Sequence, residues 1–199
     1  YFEDAEKAYE KSTQLDPYSS EVWIDWSFVL VKQDKLDDAI ELLENSIKYF
    51  DDCHQIHYRL ASYYFLANKG KLPWPVEKGI VVQRYGTQPH PVVKTTMIKS
   101  NGVTIATTPK AEARAVFEGE VMTILSFKGS NPTILIKHGN FITTYKNMGK
   151  VYVKKGDKVR AKQSIGQVFT HPQTGKTTLQ FSVFNELKPQ NPKSWIFRM

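Results

Sequence analysis

The chain has 199 residues, which is enough for one large or two small domains, each with a hydrophobic core of its own. No apolar run approaches the roughly 18 residues that a membrane span needs, and the single cysteine, Cys53, excludes an internal disulfide framework. No signal peptide is visible in the sequence, so targeting does not identify a compartment.

Charge separates the chain into two parts. Residues 1–69 hold 7 Lys and Arg against 14 Asp and Glu, a net charge of −7, whereas residues 70–199 hold 20 against 6, a net charge of +14. The two values sum to the +7 of the whole chain. A break this sharp predicts two modules with different surfaces, one at 1–69 and one at 70–199.

The acidic module has the apolar spacing of helices. Shifting the sequence by 34 residues aligns Ala5 with Ala39 and Ser12 with Ser46, and small side chains at such positions let helices pack closely. This period resembles that of tetratricopeptide repeats, in the order half repeat, full repeat, half repeat. We predict four helices, at about 2–15, 20–33, 36–49 and 54–67.

Two roles are open for these helices. Stacked repeats present a concave surface that binds a protein or peptide, but about three repeats are usually needed for independent stability. A short helical spacer or cap is therefore the simpler interpretation. Cys53 and His57 are four residues apart, yet a metal site needs three or four ligands and no other candidate is near in sequence. We predict a core or surface role for both residues.

The pattern changes at Lys71. From there prolines break helical periodicity, β-branched and aromatic residues alternate with polar ones, and Gly and Asn mark tight turns. Short strands at this spacing predict an antiparallel sandwich or barrel. The strand candidates are 79–85, 103–107, 113–117, 120–127, 133–138, 141–146, 150–153, 164–169 and 177–184.

The segment "VYVKKGDKVRAKQSIGQV" resembles a motif of biotinyl and lipoyl carrier domains and of lysostaphin-like, LytM-type endopeptidases. A carrier displays a modifiable lysine in a Met-Lys-Met or Asp-Lys-Ala setting, which is absent here. The stretches "LPWPVEKGIVVQRYG", "NGVTIAT", "ARAVFEGEV", "ILIKHGNFITTYKNM" and "TTLQFSVF" resemble the LytM domain in order, over about residues 71–196. The Pro-Trp-Pro opening and the late Asn191-Pro192 resemble most the EnvC-like murein hydrolase activators.

The resemblance implies a fold class. The chain would be an α+β multidomain protein, with N-terminal α-helical tetratricopeptide hairpins at 1–69 followed by a degenerate LytM-like domain at 70–199. That second domain would be all-β, a sandwich or barrel of the duplicated hybrid motif.

The resemblance also implies where a metal would be. LytM-type enzymes hold zinc with a His and an Asp of an H-x-G-x-D-like stretch and a His of an H-x-H stretch, and two further histidines assist catalysis. In this sequence the ligand positions become Asn101, Thr104 and Gln180, and the two catalytic positions become Asn147 and Thr178. Amide and hydroxyl oxygens are poor zinc donors and cannot act as general bases near pH 7. We therefore expect no catalytic residue, no metal and no cofactor, and a protein that is not a zinc hydrolase.

In EnvC-like activators the vacated groove binds a cell-wall amidase. The resemblance thus implies a regulator whose protein partner is an N-acetylmuramoyl-L-alanine amidase. It also implies that the protein is periplasmic or associated with the cell envelope and that it acts during cell separation. The groove would have Asn101, Thr104, Asn147, Thr178 and Gln180 on its floor and Arg84, Tyr85 and Tyr145 on its walls.

Other functions remain open. A non-catalytic peptidoglycan-binding or scaffold protein would also suit the groove and the basic surface. An active hydrolase or a nucleic-acid binder is less favoured, because the basic residues alternate along strands without a nucleic-acid motif. Zinc content would separate the hydrolase from the non-catalytic classes, and capture of an amidase would separate activator from wall binder.

Overall fold

The computed structural model describes residues 1–50, 52–89 and 95–199. Its contacts divide the chain into two units, Tyr1–Ala67 and Asn68–Met199. The first unit consists of helices α1 (Phe2–Leu15), α2 (Ser20–Lys32), α3 (Leu36–Ser46) and α4 (His54–Ala67), with a short 3₁₀ turn at Ile47–Tyr49. The prediction of four helices is confirmed. The third ends at Ser46, three residues early, because the chain tightens there into the 3₁₀ turn.

Small side chains lie where these helices come together. Ala39 and Ser46 are fully buried, which explains their spacing in the sequence. Ser27 is also buried, and its hydroxyl lies 3.1 Å from that of Tyr63 on α4. The core around them consists of Trp23, Leu30, Leu43, Ile56, Leu60 and Tyr63. The assignment to tetratricopeptide repeats stays a prediction.

No helix in the described part of the chain has the length and apolar character needed to cross a membrane.

The second unit is built from strands, all paired antiparallel, and every predicted strand segment overlaps one of them. Among the described residues, four short strands were not predicted: Gly86–Pro89, Met97–Ser100, Lys158–Val159 and Lys188–Gln190. Two to four residues are too few for alternation to be recognised. The strands are β1 (Ile80–Gln83), β2 (Gly86–Pro89), β3 (Met97–Ser100), β4 (Val103–Ala106), β5 (Glu112–Arg114), β6 (Gly119–Leu125), β7 (Thr133–His138), β8 (Phe141–Lys146), β9 (Met148–Val151), β10 (Lys158–Val159), β11 (Ser164–Val168), β12 (Thr178–Asn185) and β13 (Lys188–Gln190).

One large sheet dominates this unit. Its strand order is β1-β4-β12-β8-β7-β6-β10, with β13 paired to β12. A three-stranded sheet has the order β5-β11-β9, and β2 and β3 form a hairpin. Alternation gives the large sheet a buried face, where Leu179, Phe181 and Val183 of β12 lie in the core. The opposite face, which carries Gln180 and Ser182, is called the outer face below.

A polar network is buried beneath the large sheet. His138 Nδ1 donates to the Glu118 carbonyl oxygen at 2.6 Å, and its Nε2 lies 2.9 Å from Thr143 Oγ1. Burial lowers the pKa of His138 to about 4, so the ring is neutral near pH 7. The Tyr145 hydroxyl lies 3.4 Å from Thr143 Oγ1 and accepts from the Val116 amide at 2.9 Å. These bonds satisfy polar groups that would otherwise be costly to bury.

Candidate functional site

Four of the predicted site residues come together at one end of the outer face. Gln180 pairs in register with Thr104 of β4 on one side and with Lys146 of β8 on the other. Thr178 lies two residues before Gln180 on β12, and Asn147 directly follows β8. Strand pairing therefore brings these four positions together. That they form a shared site stays a prediction.

The side chains there bond to protein partners. Thr104 Oγ1 donates to Gln83 Oε1 at 3.0 Å. The amide of Asn147 donates to the Thr178 carbonyl oxygen at 2.7 Å, and its Oδ1 accepts from Asn131 Nδ2 at 2.6 Å. Asn147 has φ of 78°, a left-handed conformation that asparagine tolerates better than most residues. Its side chain therefore connects the end of β8 to the start of β12.

This donor set does not fit zinc. The amide of Gln180 and the hydroxyls of Thr104 and Thr178 are neutral, whereas zinc sites use imidazole, thiolate and carboxylate. The Asn147 amide and the Thr104 hydroxyl are already used in the bonds above. Within the ranges the structure describes, no group of three or more His, Cys, Asp or Glu could hold a metal, and this covers Cys53 and His57.

The assignment of Asn101 needs a correction. Gly102 must be glycine, because a Cβ there would overlap Ser182 Oγ and the Phe181 carbonyl oxygen. If Gly102 is the glycine of the H-x-G-x-D-like stretch and Thr104 takes the place of its aspartate, the histidine position falls on Ser100. Asn101 is exposed between β3 and β4, and Ser100 Oγ donates to the Gly102 carbonyl oxygen at 2.9 Å. Serine is as poor a zinc donor as asparagine, so the chemical conclusion does not change.

The residues predicted for the walls of the groove also need a correction in part. Tyr145 is fully buried, and its ring packs against Phe181 with centroids 5.4 Å apart, so it cannot line an open groove. The Tyr85 hydroxyl donates to the Pro189 carbonyl oxygen at 3.2 Å, which holds that half-buried side chain beside β13. Arg84 is exposed, and its backbone bonds to the Gln88 side chain.

A groove of about 340 Å³ lies beside the predicted site, on the outer face of the large sheet. Register places Phe184 opposite Ile142, and Leu135 opposite Thr144, so apolar side chains form the middle of the groove. Of the predicted groove residues, only Gln180 lines it. The lining residues are Leu125, Thr133, Leu135, Ile142, Thr144, Lys146, Gln180, Ser182, Phe184, Glu186 and Leu187.

The groove was missed although the sequence contains a signal for it. Strands covered by protein on one face alternate apolar and polar residues, whereas "TILIKH" and "TTLQFSVF" carry apolar residues at both alternate positions. Leu135 and Phe184 are the residues that break the alternation, and both face outward into the groove. Apolar residues on the second face indicate that this face is covered or available to a partner.

Part of the second unit is similar in sequence to known proteins. Residues 98–192 match the model of the family described as peptidase family M23. Over 133 residues, or 66% of this chain, the sequence is 26% identical to the murein hydrolase activator EnvC of Escherichia coli K12. The chain spans about 30% of the length of that curated relative. Residues 98–192 thus have an M23, or LytM-type, domain with homology to EnvC.

Solved structures share this fold. Csd3 of Helicobacter pylori has 25% identity and a TM-score of 0.54, over 64% of this chain and 35% of its own. A zinc-containing peptidase of Vibrio cholerae has 24% identity and a TM-score of 0.54, over 65% and 41%. A chain of the SpoIIQ–SpoIIIAH pore-forming complex has 18% identity and a TM-score of 0.54, over 65% and 93%. The last two likenesses concern the fold alone.

Proposed function

We propose that this chain is a non-catalytic regulator of peptidoglycan hydrolysis that binds and activates an N-acetylmuramoyl-L-alanine amidase through the outer face of its M23-type sheet. The proposal is carried by the neutral side chains at the positions where the resemblance would put the zinc ligands of an active M23 enzyme. None of Thr104, Asn147, Thr178 and Gln180 is a metal ligand of the usual kind. Thr104 and Asn147 bond within the sheet, and the exposed amide of Gln180 can bond to a partner.

The groove supports a binding role. Its middle is apolar, with Leu135, Ile142 and Phe184, and Lys146 and Glu186 provide charges of both signs in its lining. Apolar patches rimmed by polar residues commonly mark protein interfaces. The docking surface we propose joins this groove to the polar residues at the neighbouring end of the sheet. Arg84 and Tyr85 are retained as contacts at its β13 side.

The surrounding charge supports the same role. Residues 70–199 carry 20 Lys and Arg against 6 Asp and Glu, net +14, which would speed the encounter with an acidic partner. The name of the Escherichia coli relative, murein hydrolase activator, points to the same kind of partner. We infer a place in the cell envelope, in the periplasm, where the partner would act during cell separation.

A comparison of two binding partners tests the proposal. The immobilised chain is presented with purified amidase and, separately, with purified peptidoglycan sacculi. We expect saturable amidase binding in the micromolar range or tighter, with weak retention of sacculi that disappears as salt is raised. Tight binding of sacculi together with no amidase binding would instead favour a scaffold that binds peptidoglycan.

A further inference from the structure

A second surface, separate from the groove, is strongly positively charged. Residues 150–162 contain six cationic side chains and one carboxylate, that of Asp157. All six cationic side chains are exposed, and none of them lines the groove. This surface, called the basic turn below, consists of Lys150, Lys154, Lys155, Lys158, Arg160 and Lys162.

The backbone of the basic turn is held in place by the strands beneath it. The Gly156 amide donates to the Val121 carbonyl oxygen at 2.8 Å, and the Val121 amide donates back to the Asp157 carbonyl oxygen at 2.9 Å. Further along, the Lys162 amide donates to the Ala115 carbonyl oxygen at 2.8 Å. The charges are therefore presented from a fixed backbone, so that binding orders only the side chains.

In the described part of the chain, these six cations have no paired carboxylate. Among the residues that the structure describes, none places a carboxylate within 4.0 Å of any of the six. The carboxylate of Asp157 accepts from the Lys154 amide at 2.9 Å and so serves the turn itself. Glu120 lies opposite Lys158 in register and is the nearest acidic residue by strand pairing. Holding six like charges together costs free energy, which an external anion would offset.

We propose that the basic turn binds the surface of a membrane that contains anionic phospholipids. A flat anionic surface attracts clustered cations by number and proximity, without a pocket or a defined spacing of phosphates. The exposed residues of the turn are charged and polar apart from Ala161, Gly156 and the half-exposed Tyr152, a residue type enriched at membrane interfaces. Docking here would leave the groove free for its own partner, because the two surfaces share no residue.

Vesicle sedimentation of the full chain tests this proposal. Vesicles of phosphatidylcholine, with and without about one third phosphatidylglycerol, are compared at low ionic strength. We expect binding only to the anionic vesicles, lost when salt reaches about 1 M and charges are screened beyond about 3 Å. The triple variant Lys154→Glu, Lys155→Glu, Lys158→Glu should weaken partitioning at least about 100-fold.

A charge-matched control separates this surface from total charge. The triple variant Lys78→Glu, Lys176→Glu, Lys193→Glu removes the same charge from three other exposed positions, and its partitioning should fall much less. Equal losses in the two triples, or no binding of the wild-type chain to anionic vesicles, would overturn the proposal. Binding to purified sacculi but not to vesicles, abolished by the first triple, would also overturn it in favour of an anionic wall polymer.

Discussion

Tyr145→Ala is expected to destabilise the second unit strongly rather than to weaken partner binding selectively. The side chain is fully buried against Phe181, and truncating a buried aromatic residue costs about 3–5 kcal/mol. The Val116 amide would also lose its hydrogen-bond acceptor. Hydrogen–deuterium exchange of the full chain, read in peptides of β8 and β12, should be accelerated about 1,000-fold.

Two other variants serve as comparisons for Tyr145→Ala. Tyr145→Phe keeps the ring but removes the hydroxyl, and should lower the free energy of unfolding by about 1–2 kcal/mol. Lys146→Ala changes the exposed neighbour and should cost less than about 0.5 kcal/mol. Unchanged exchange in Tyr145→Ala, combined with weaker partner binding, would mean that Tyr145 does face a groove.

Leu135→Asp is expected to weaken amidase binding by about 30-fold or more, equivalent to about 2 kcal/mol. Leu135 lies in the apolar middle of the groove, and a carboxylate there would have to lose its water when a partner covers it. Isothermal titration calorimetry of the full chain with purified amidase measures the change in the dissociation constant. Circular dichroism of the variant establishes that its strands remain folded.

The control for this variant is Gln173→Asp, which adds the same charge at an exposed loop position outside the groove. Its dissociation constant should change less than about threefold. If Thr104→Ala and Gln180→Ala weaken binding strongly while Leu135→Asp does not, the partner occupies the polar end of the sheet and not the groove.

The helices could be predicted from the sequence because their signals are local. Of the small residues that the 34-residue shift aligns, Ala39 and Ser46 are fully buried, whereas Ala5 and Ser12 are half-buried. The exact end of α3 depends on how the 3₁₀ turn after Ser46 forms, which no residue type specifies strongly.

The faces of the strands were harder to assign. In "FITTYK" both alternate sets, Phe-Thr-Tyr and Ile-Thr-Lys, mix apolar and polar residues, so the sequence does not decide which set faces the core. The structure buries Thr143 and Tyr145 because His138 and the Val116 amide supply hydrogen-bond partners from elsewhere in the chain. Such partners are set by tertiary contacts, and so Tyr145 was placed on the wrong face.

The expected ligand positions depend on motif spacing, whereas the groove depends on the register of four strands. Thr104, Gln180 and Asn147 come together through the pairing of β4, β12 and β8. The histidine position was assigned one residue late at Asn101, because an H-x-G-x-D-like stretch that ends at Thr104 begins at Ser100. The close approach of Gly102 to β12 agrees with a glycine at the middle of that stretch.

Dye release from labelled peptidoglycan distinguishes an activator of an amidase from a hydrolase. Purified amidase is assayed alone, with this protein, and with the Leu135→Asp variant, and this protein is also assayed alone with added zinc. We expect at least about tenfold stimulation by the wild-type chain, little by the variant, and no release by the chain alone. Release by the chain alone that zinc increases and a chelator abolishes would show a hydrolase, and no stimulation of an amidase that the chain binds would rule out an activator.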